Sequence, residues 1–204
     1  MNNVKYIVFI VILLILNAVL IYKLNSYSKG ISKIRPVLNQ YREGLLNFEQ
    51  NFVKESENEN LILDQNTKFL DIEGNLIKAK DLFKSNSVVL RYSETNCEAC
   101  INAEINTLLK NNSDLKNSIV LIASYRNSRD LYVYYKEYEK KGISNIKMFL
   151  LLDKSLNIPI EKLNKPYYFC IDSNLRMSNF FIPQENKPQL SESYLQIIPI
   201  SFLN

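Results

Sequence analysis

Two cysteines three residues apart, Cys97 and Cys100, stand in the stretch RYSETNCEACINAEI (residues 91–105). The 204-residue chain holds one further cysteine, Cys170, and no histidine. The missing histidine removes Ser-His-Asp and Cys-His catalysis, and every histidine-ligated zinc, copper or haem site. Three cysteines are too few for a four-cysteine zinc site, and Ile101, directly after Cys100, excludes a CxxCH haem attachment. Thiol–disulfide chemistry is the main chemistry left, and it implies no cofactor beyond the dithiol itself.

The elements around the pair decide whether that chemistry is favourable. SVVLRYS (Ser87–Ser93) reads as a buried strand running straight into the motif. CEACINAEINTLLKNN reads as a helix with Cys97, Ile101, Ile105 and Leu108 on its apolar face, ended by Asn111 and Asn112. Cys97 then lies at a helix N-terminus, where free backbone N–H groups and the positive end of the dipole stabilise a thiolate. Its pKa should fall below the free value of about 8.5. Cys100, one turn in, is shielded and placed to attack a mixed disulfide on Cys97, while Glu98 opposes thiolate formation slightly. A static disulfide is the structural alternative, but so small a loop gains little, because stabilisation by cross-linking grows with loop length.

Glu104 is one turn beyond Cys100 and seven residues after Cys97, near the same helix face. A half-buried carboxylate there would have a raised pKa and could accept the Cys100 proton. The alternative is a solvated helix glutamate. Cys170, between Phe169 and Ile171, reads as a core residue.

Further along, LILDQNTKFLDIEGNLIKAKDLF offers two short apolar pieces around the turn signal Glu73-Gly74-Asn75. SIVLIASY and IKMFLLLD read as strands, the second apolar on both faces and central in a sheet. SRDLYVYYKEYEKKG reads as a helix with a packing stripe of tyrosines and Gly142 at its C-terminal cap. YYFCID and RMSNFFI flank Asp172-Ser173-Asn174 as a hairpin, and QLSESYLQIIPISFL closes with a helix to about Ile198.

The other end of the chain is different in kind. YIVFIVILLILNAVLIY (Tyr6–Tyr22) carries no charge and is flanked by Lys5 and Lys23. It reads as an uncleaved signal anchor over residues 1–24, because no small-x-small cleavage site follows. Val37, Tyr41, Leu45, Phe48 and Phe52 mark an amphipathic helical stalk beginning after Pro36, and KESENEN reads as a linker, giving a stalk region of 25–60. Lys23, Lys29, Lys33 and Arg35 after the span would place the domain in the cytoplasm by a count of positive charges. The paired cysteines fit an oxidising compartment, and the domain is expected on the periplasmic side of the inner membrane. Lys and Arg number 25 against 21 Asp and Glu, net +4, with no basic block interleaved with aromatics, so no nucleic-acid partner is expected.

The order strand, CxxC helix, strand, helix, strand, followed by NKPYYFCIDSNLRM, resembles a thioredoxin fold over residues 61–204. With its anchored N-terminus the chain is similar to membrane-tethered thiol–disulfide oxidoreductases of the TlpA type. The resemblance implies an α/β, thioredoxin-like three-layer sandwich with a central mixed β-sheet, acting on protein thiol or disulfide substrates. It also implies a cis-proline against the cysteine pair, matched here by Pro166, with the Lys165 backbone free to pair with a substrate chain. The chain departs from the family at Asn96, where an aromatic is usual, at Glu98-Ala99, which lacks the common proline, and at Arg91. That position, six before Cys97, carries a buried acid or amide in many relatives. Arg91 and Asn96 favour the alternative function, a thioredoxin-like domain that binds or senses without turnover.

Overall fold

The computed structural model describes residues 2–115, 118–142, 147–184 and 187–203, and the chain divides between Gln50 and Asn51 into two units. Helix α1 (Asn2–Asn58) is unbroken, with Pro36 inside it rather than ahead of it. The proline removes one i→i−4 bond, and the helix continues through it. By length and composition α1 can cross a membrane, and none of its apolar window is buried.

The second unit is built on one seven-stranded mixed sheet of order β2-β1-β5-β4-β3-β6-β7. The hairpin β1 (Lys68–Leu70) and β2 (Leu76–Lys78) turns at Gly74, whose φ of 86° suits glycine. β3 (Ser87–Ser93), β4 (Ile119–Ser124) and β5 (Lys147–Leu151) are parallel; β6 (Tyr167–Ile171) runs antiparallel to β3, and β7 (Met177–Phe181) antiparallel to β6. The strand pattern predicts β3, β4, β6 and β7 to within one residue at each end; β5 ends at Leu151, two residues short of the expected Asp153. β5 lies inside the sheet between β4 and β1, and Ile146, expected at its start, is outside the described residues.

Strand alternation divides the core. Val88, Leu90 and Tyr92 of β3 face α3 (Glu98–Leu115), α4 (Ser128–Lys140) and α5 (Pro188–Phe202), with Ile105, Leu108, Leu131 and Leu195 buried against them. Val89, with Val120 and Phe169, faces α2 (Ala79–Leu82) and a short 3₁₀ helix, Pro159–Leu163. A parallel βαβ core extended by an antiparallel pair and a last helix is the thioredoxin-like arrangement, as expected. The tyrosine stripe of α4 packs: Tyr134 stacks on Tyr125 at 5.0 Å, and Tyr138 is buried. α3 runs past Asn111–Asn112 to Leu115, and α5 past Ile198 to Phe202.

The segment KESENEN is not a linker. α1 continues to Asn58, and the carboxylates of Glu55 in its last turn and Glu59 just beyond it dock along β7 and the residue that follows it. Glu59 accepts from the Asn179 and Phe180 amides at 3.0 and 2.9 Å, and Glu55 from the Ile182 amide at 2.7 Å. An edge strand leaves such N–H groups unpaired, and the carboxylates satisfy them. Glu55→Ala and Glu59→Ala should each lower stability by about 1–2 kcal/mol. Glu57→Ala, which removes only the surface pair with Lys54, should change it by less than about 0.5 kcal/mol. Urea denaturation of the detergent-solubilised chain, followed by far-UV circular dichroism, measures the difference.

Candidate active site

β3 delivers the chain to the site with alternate residues on opposite faces, so Arg91 points away from α3 into the second core layer. It is 3% exposed. Its Nε donates to Glu161 Oε1 at 3.0 Å, and Nη2 donates to Ser124 Oγ at 2.8 Å and to the Lys154 carbonyl at 2.9 Å. Nη1 donates to the Tyr92 carbonyl. Glu161 is equally occupied, accepting from the Tyr167 hydroxyl at 3.3 Å, the Leu156 amide at 2.7 Å and Ser155 Oγ. This guanidinium serves a buried ion pair that fixes the 3₁₀ helix. The Glu161 charge also helps burial raise the Tyr167 hydroxyl well above the usual phenol range.

After β3 the loop closes on itself. Asn96 Oδ1 accepts from the Ser93 amide at 2.7 Å, and the Asn96 amide donates to the Ser93 carbonyl at 3.0 Å. Its Nδ2 donates to Asn164 Oδ1 at 3.0 Å, which also accepts from Thr95 Oγ1 at 2.8 Å. Asn164 ends the 3₁₀ helix in the left-handed region, φ 48°, which asparagine tolerates. Asn96 is thus a buried clasp between the cysteine loop and the loop leading to Pro166. Sequence reasoning missed Asn164; its only signal was an asparagine two residues before the proline.

Cys97 and Cys100 are joined in a disulfide, with Cα atoms 5.2 Å apart. Cys97 caps α3: its carbonyl accepts the Ile101 amide at 3.1 Å, and its Sγ lies 3.3 Å from the Cys100 amide nitrogen, which donates to it. Cys97 is exposed and Cys100 half-buried. Pro166 is buried at the entry to β6, beside the exposed Lys165. The expected cis bond is not found: peptide bonds among the described residues are trans, Lys165–Pro166 included. Trans is the preferred X–Pro isomer by about 0.5–1 kcal/mol, and the left-handed Asn164 already turns the chain there.

Glu104 is deeper than expected, at 4% exposure. Ser191 Oγ of α5 donates to its Oε1 at 3.1 Å, whereas Oε2 and the facing Tyr168 hydroxyl make no hydrogen bond of good geometry. Burial raises its carboxyl above the usual range, partly offset by Ser191 and Tyr168. Cys170 is a fully buried core thiol 3.9 Å from the Tyr194 hydroxyl, and burial pushes its pKa up to about 12. Among the described residues no group of three or more Cys, Asp or Glu side chains is placed to hold a metal ion.

No protein-family model matches this chain, and no curated protein matches it. Among solved structures it is similar to a thiol:disulfide interchange protein from Bacteroides sp., at 17% identity over 68% of this chain and 90% of that one, TM-score 0.47. It is also similar to a secreted Mycobacterium tuberculosis disulfide oxidoreductase homologous to E. coli DsbE, at 13% identity over 65% and 96%, TM-score 0.43. A third is Arabidopsis thaliana ScoI with copper bound, at 9% identity over 66% and 96%, TM-score 0.45. Identities this low bear on the fold alone, and the fold here rests on its own strand order and crossovers.

The raised Glu104 carboxyl has a consequence for stability. Its contribution is fully present below the unfolded pKa of about 4.3, and is lost as pH rises through the higher folded value. Glu104→Gln does not titrate. The melting temperature of the variant should therefore rise relative to the parent between pH 4 and pH 7, and a pH-independent difference would show that the Glu104 carboxyl titrates alike in the folded and unfolded chain.

Proposed function

We propose that this chain is a membrane-anchored thiol–disulfide oxidoreductase acting on protein cysteines. The observation that carries the reading is the exposed Cys97 at the N-terminus of α3, bonded to a half-buried Cys100 one turn further in. In the reduced enzyme the Cys97 thiolate attacks a substrate disulfide. One substrate sulfur leaves as thiolate and takes a proton, and a mixed disulfide forms on Cys97. Cys100 then loses its proton and attacks Cys97 Sγ, releasing the second substrate thiol and restoring the Cys97–Cys100 disulfide. Two electrons pass to the substrate; the reverse sequence oxidises a substrate dithiol.

Glu104 is the base in this reading. It sits one turn from Cys100 on the same helix face, and a raised carboxyl is better matched to a thiol than an ordinary surface glutamate. Pro166 and Lys165 form the substrate-facing wall, held against the cysteine loop through Asn164. The apolar run Tyr6–Tyr22 anchors the chain in the inner membrane, with the domain, residues 61–204, on the periplasmic side. A second reading, binding or sensing without turnover, is favoured by Arg91, which is committed to Glu161 and puts no acid on β3.

Cys100→Ser should trap mixed disulfides with protein partners, Cys97→Ser should trap few, and the parent should reduce insulin with dithiothreitol as reductant. Glu104→Gln should slow resolution of the mixed disulfide about 10²-fold or more and leave Cys97 reactivity unchanged. Non-reducing gels and an insulin turbidity assay read both. Partner binding without insulin reduction selects the second reading.

A further inference from the structure

The stalk part of α1 carries a pattern that the cysteine chemistry does not use. Leu24, Ile31, Leu38 and Leu45 recur every seven residues, and Tyr27, Ile34, Tyr41 and Phe48 follow them each by three. These are the a and d positions of a heptad repeat, kept through four heptads without exception. All eight side chains are exposed, from 54% at Phe48 to 75% at Tyr41. Between Asn25 and Asn47 the only other large aliphatic residues are Val37, beside the seam, and Leu46. Pro36 takes an f position, on the side away from the seam.

A helix lying on a globular core follows a 3.6-residue period with a broad apolar face. A strict 3.5-residue period keeps its stripe turned only toward a partner that supercoils with it. The same register runs on through the apolar segment as Ile10, Leu13, Asn17 and Leu20. Asn17 is the one amide between Tyr6 and Tyr22, and it falls on an a position. Alignment of two copies, parallel and in register, sets Asn17 against Asn17, where an interhelical hydrogen bond is favourable in apolar surroundings; a shift of one heptad sets it against Ile10 and Leu24. Gly30 and Gly44 both fall on g positions flanking the seam, and a Cβ at either would meet nothing within this chain.

We infer that α1 associates, parallel and in register, with α1 of a second copy of this chain along this seam. The parallel sense rests on the membrane-anchor reading; the seam stands on spacing and exposure. The test uses the full chain in non-ionic detergent with Cys97→Ser, Cys100→Ser and Cys170→Ala, so that introduced thiols alone cross-link. Leu38→Cys and Leu45→Cys should yield disulfide-linked dimers at least about five-fold more than Asn39→Cys and Asn47→Cys on the outer face. Sedimentation should give the parent a protein mass at least twice 23.8 kDa, and Leu38→Lys with Leu45→Lys should return it to a single chain. Equal cross-linking at all four positions, or a single-chain mass for the parent, overturns the inference. Neither readout depends on turnover, so failure of the oxidoreductase reading leaves both outcomes as stated.

Discussion

A guanidinium in the middle of a β-sheet cannot reach water, so it must be paired and hydrogen-bonded or the strand around it will not stay buried. Arg91 meets that requirement through Glu161, seventy residues away, and the geometry of the site follows from it. Glu161 holds the 3₁₀ helix Pro159–Leu163 against the sheet, and that helix ends in Asn164. Asn164 in turn ties Thr95 and Asn96 to the loop entering β6. The cysteine loop and its facing wall are thereby set by one ion pair and one amide clasp. Removing one member of such a pair leaves the other charge buried and alone, at a cost of about 3–5 kcal/mol. An arginine at this position is therefore a structural anchor.

What the strand ends in is a pair of sulfurs in unequal surroundings. Cys97 is at the surface with the Cys100 amide directed at its sulfur, while Cys100 is covered on the same helix edge. Glu104 continues that edge inward to Ser191 and Tyr168. In the proposed function, helix capping and exposure favour a thiolate at Cys97, and the raised Glu104 carboxyl is the place for the proton of Cys100. Glu98 is the one neighbour that opposes it. The apolar run and the rest of α1 lie apart from this chemistry in the sequence, and their heptad spacing is a separate property of α1.

The β-strands were legible because β4 and β6 are apolar runs bounded by turn residues, and β3 is another interrupted only by Arg91. The cysteine motif was legible because absent histidine leaves few uses for two thiols at that spacing. Glu104 was found by helix periodicity, though not its depth, which depends on α5 folding over it. Arg91 could be marked as unusual, but its partner could not be named, since Glu161 reads as an ordinary surface glutamate in IPIEKLNK. The docking of Glu55 and Glu59 was hidden for the same reason: KESENEN has the composition of a linker, and the amides it satisfies lie more than a hundred residues later. Pro166 was placed correctly at the strand entry, while its isomer depends on the turn at Asn164, which composition does not reveal.

The account depends on Cys97 and Cys100 being chemically unequal, and the rates at which each is alkylated measure that directly. The reduced chain would be treated with iodoacetamide across a range of pH and each cysteine followed by peptide mass spectrometry. Cys97 should react faster than Cys100 at neutral pH, with an apparent pKa below the free thiol value of about 8.5. Cys97 reacting no faster than Cys100 would contradict the assignment of the nucleophile and leave the domain as a binding or sensing module.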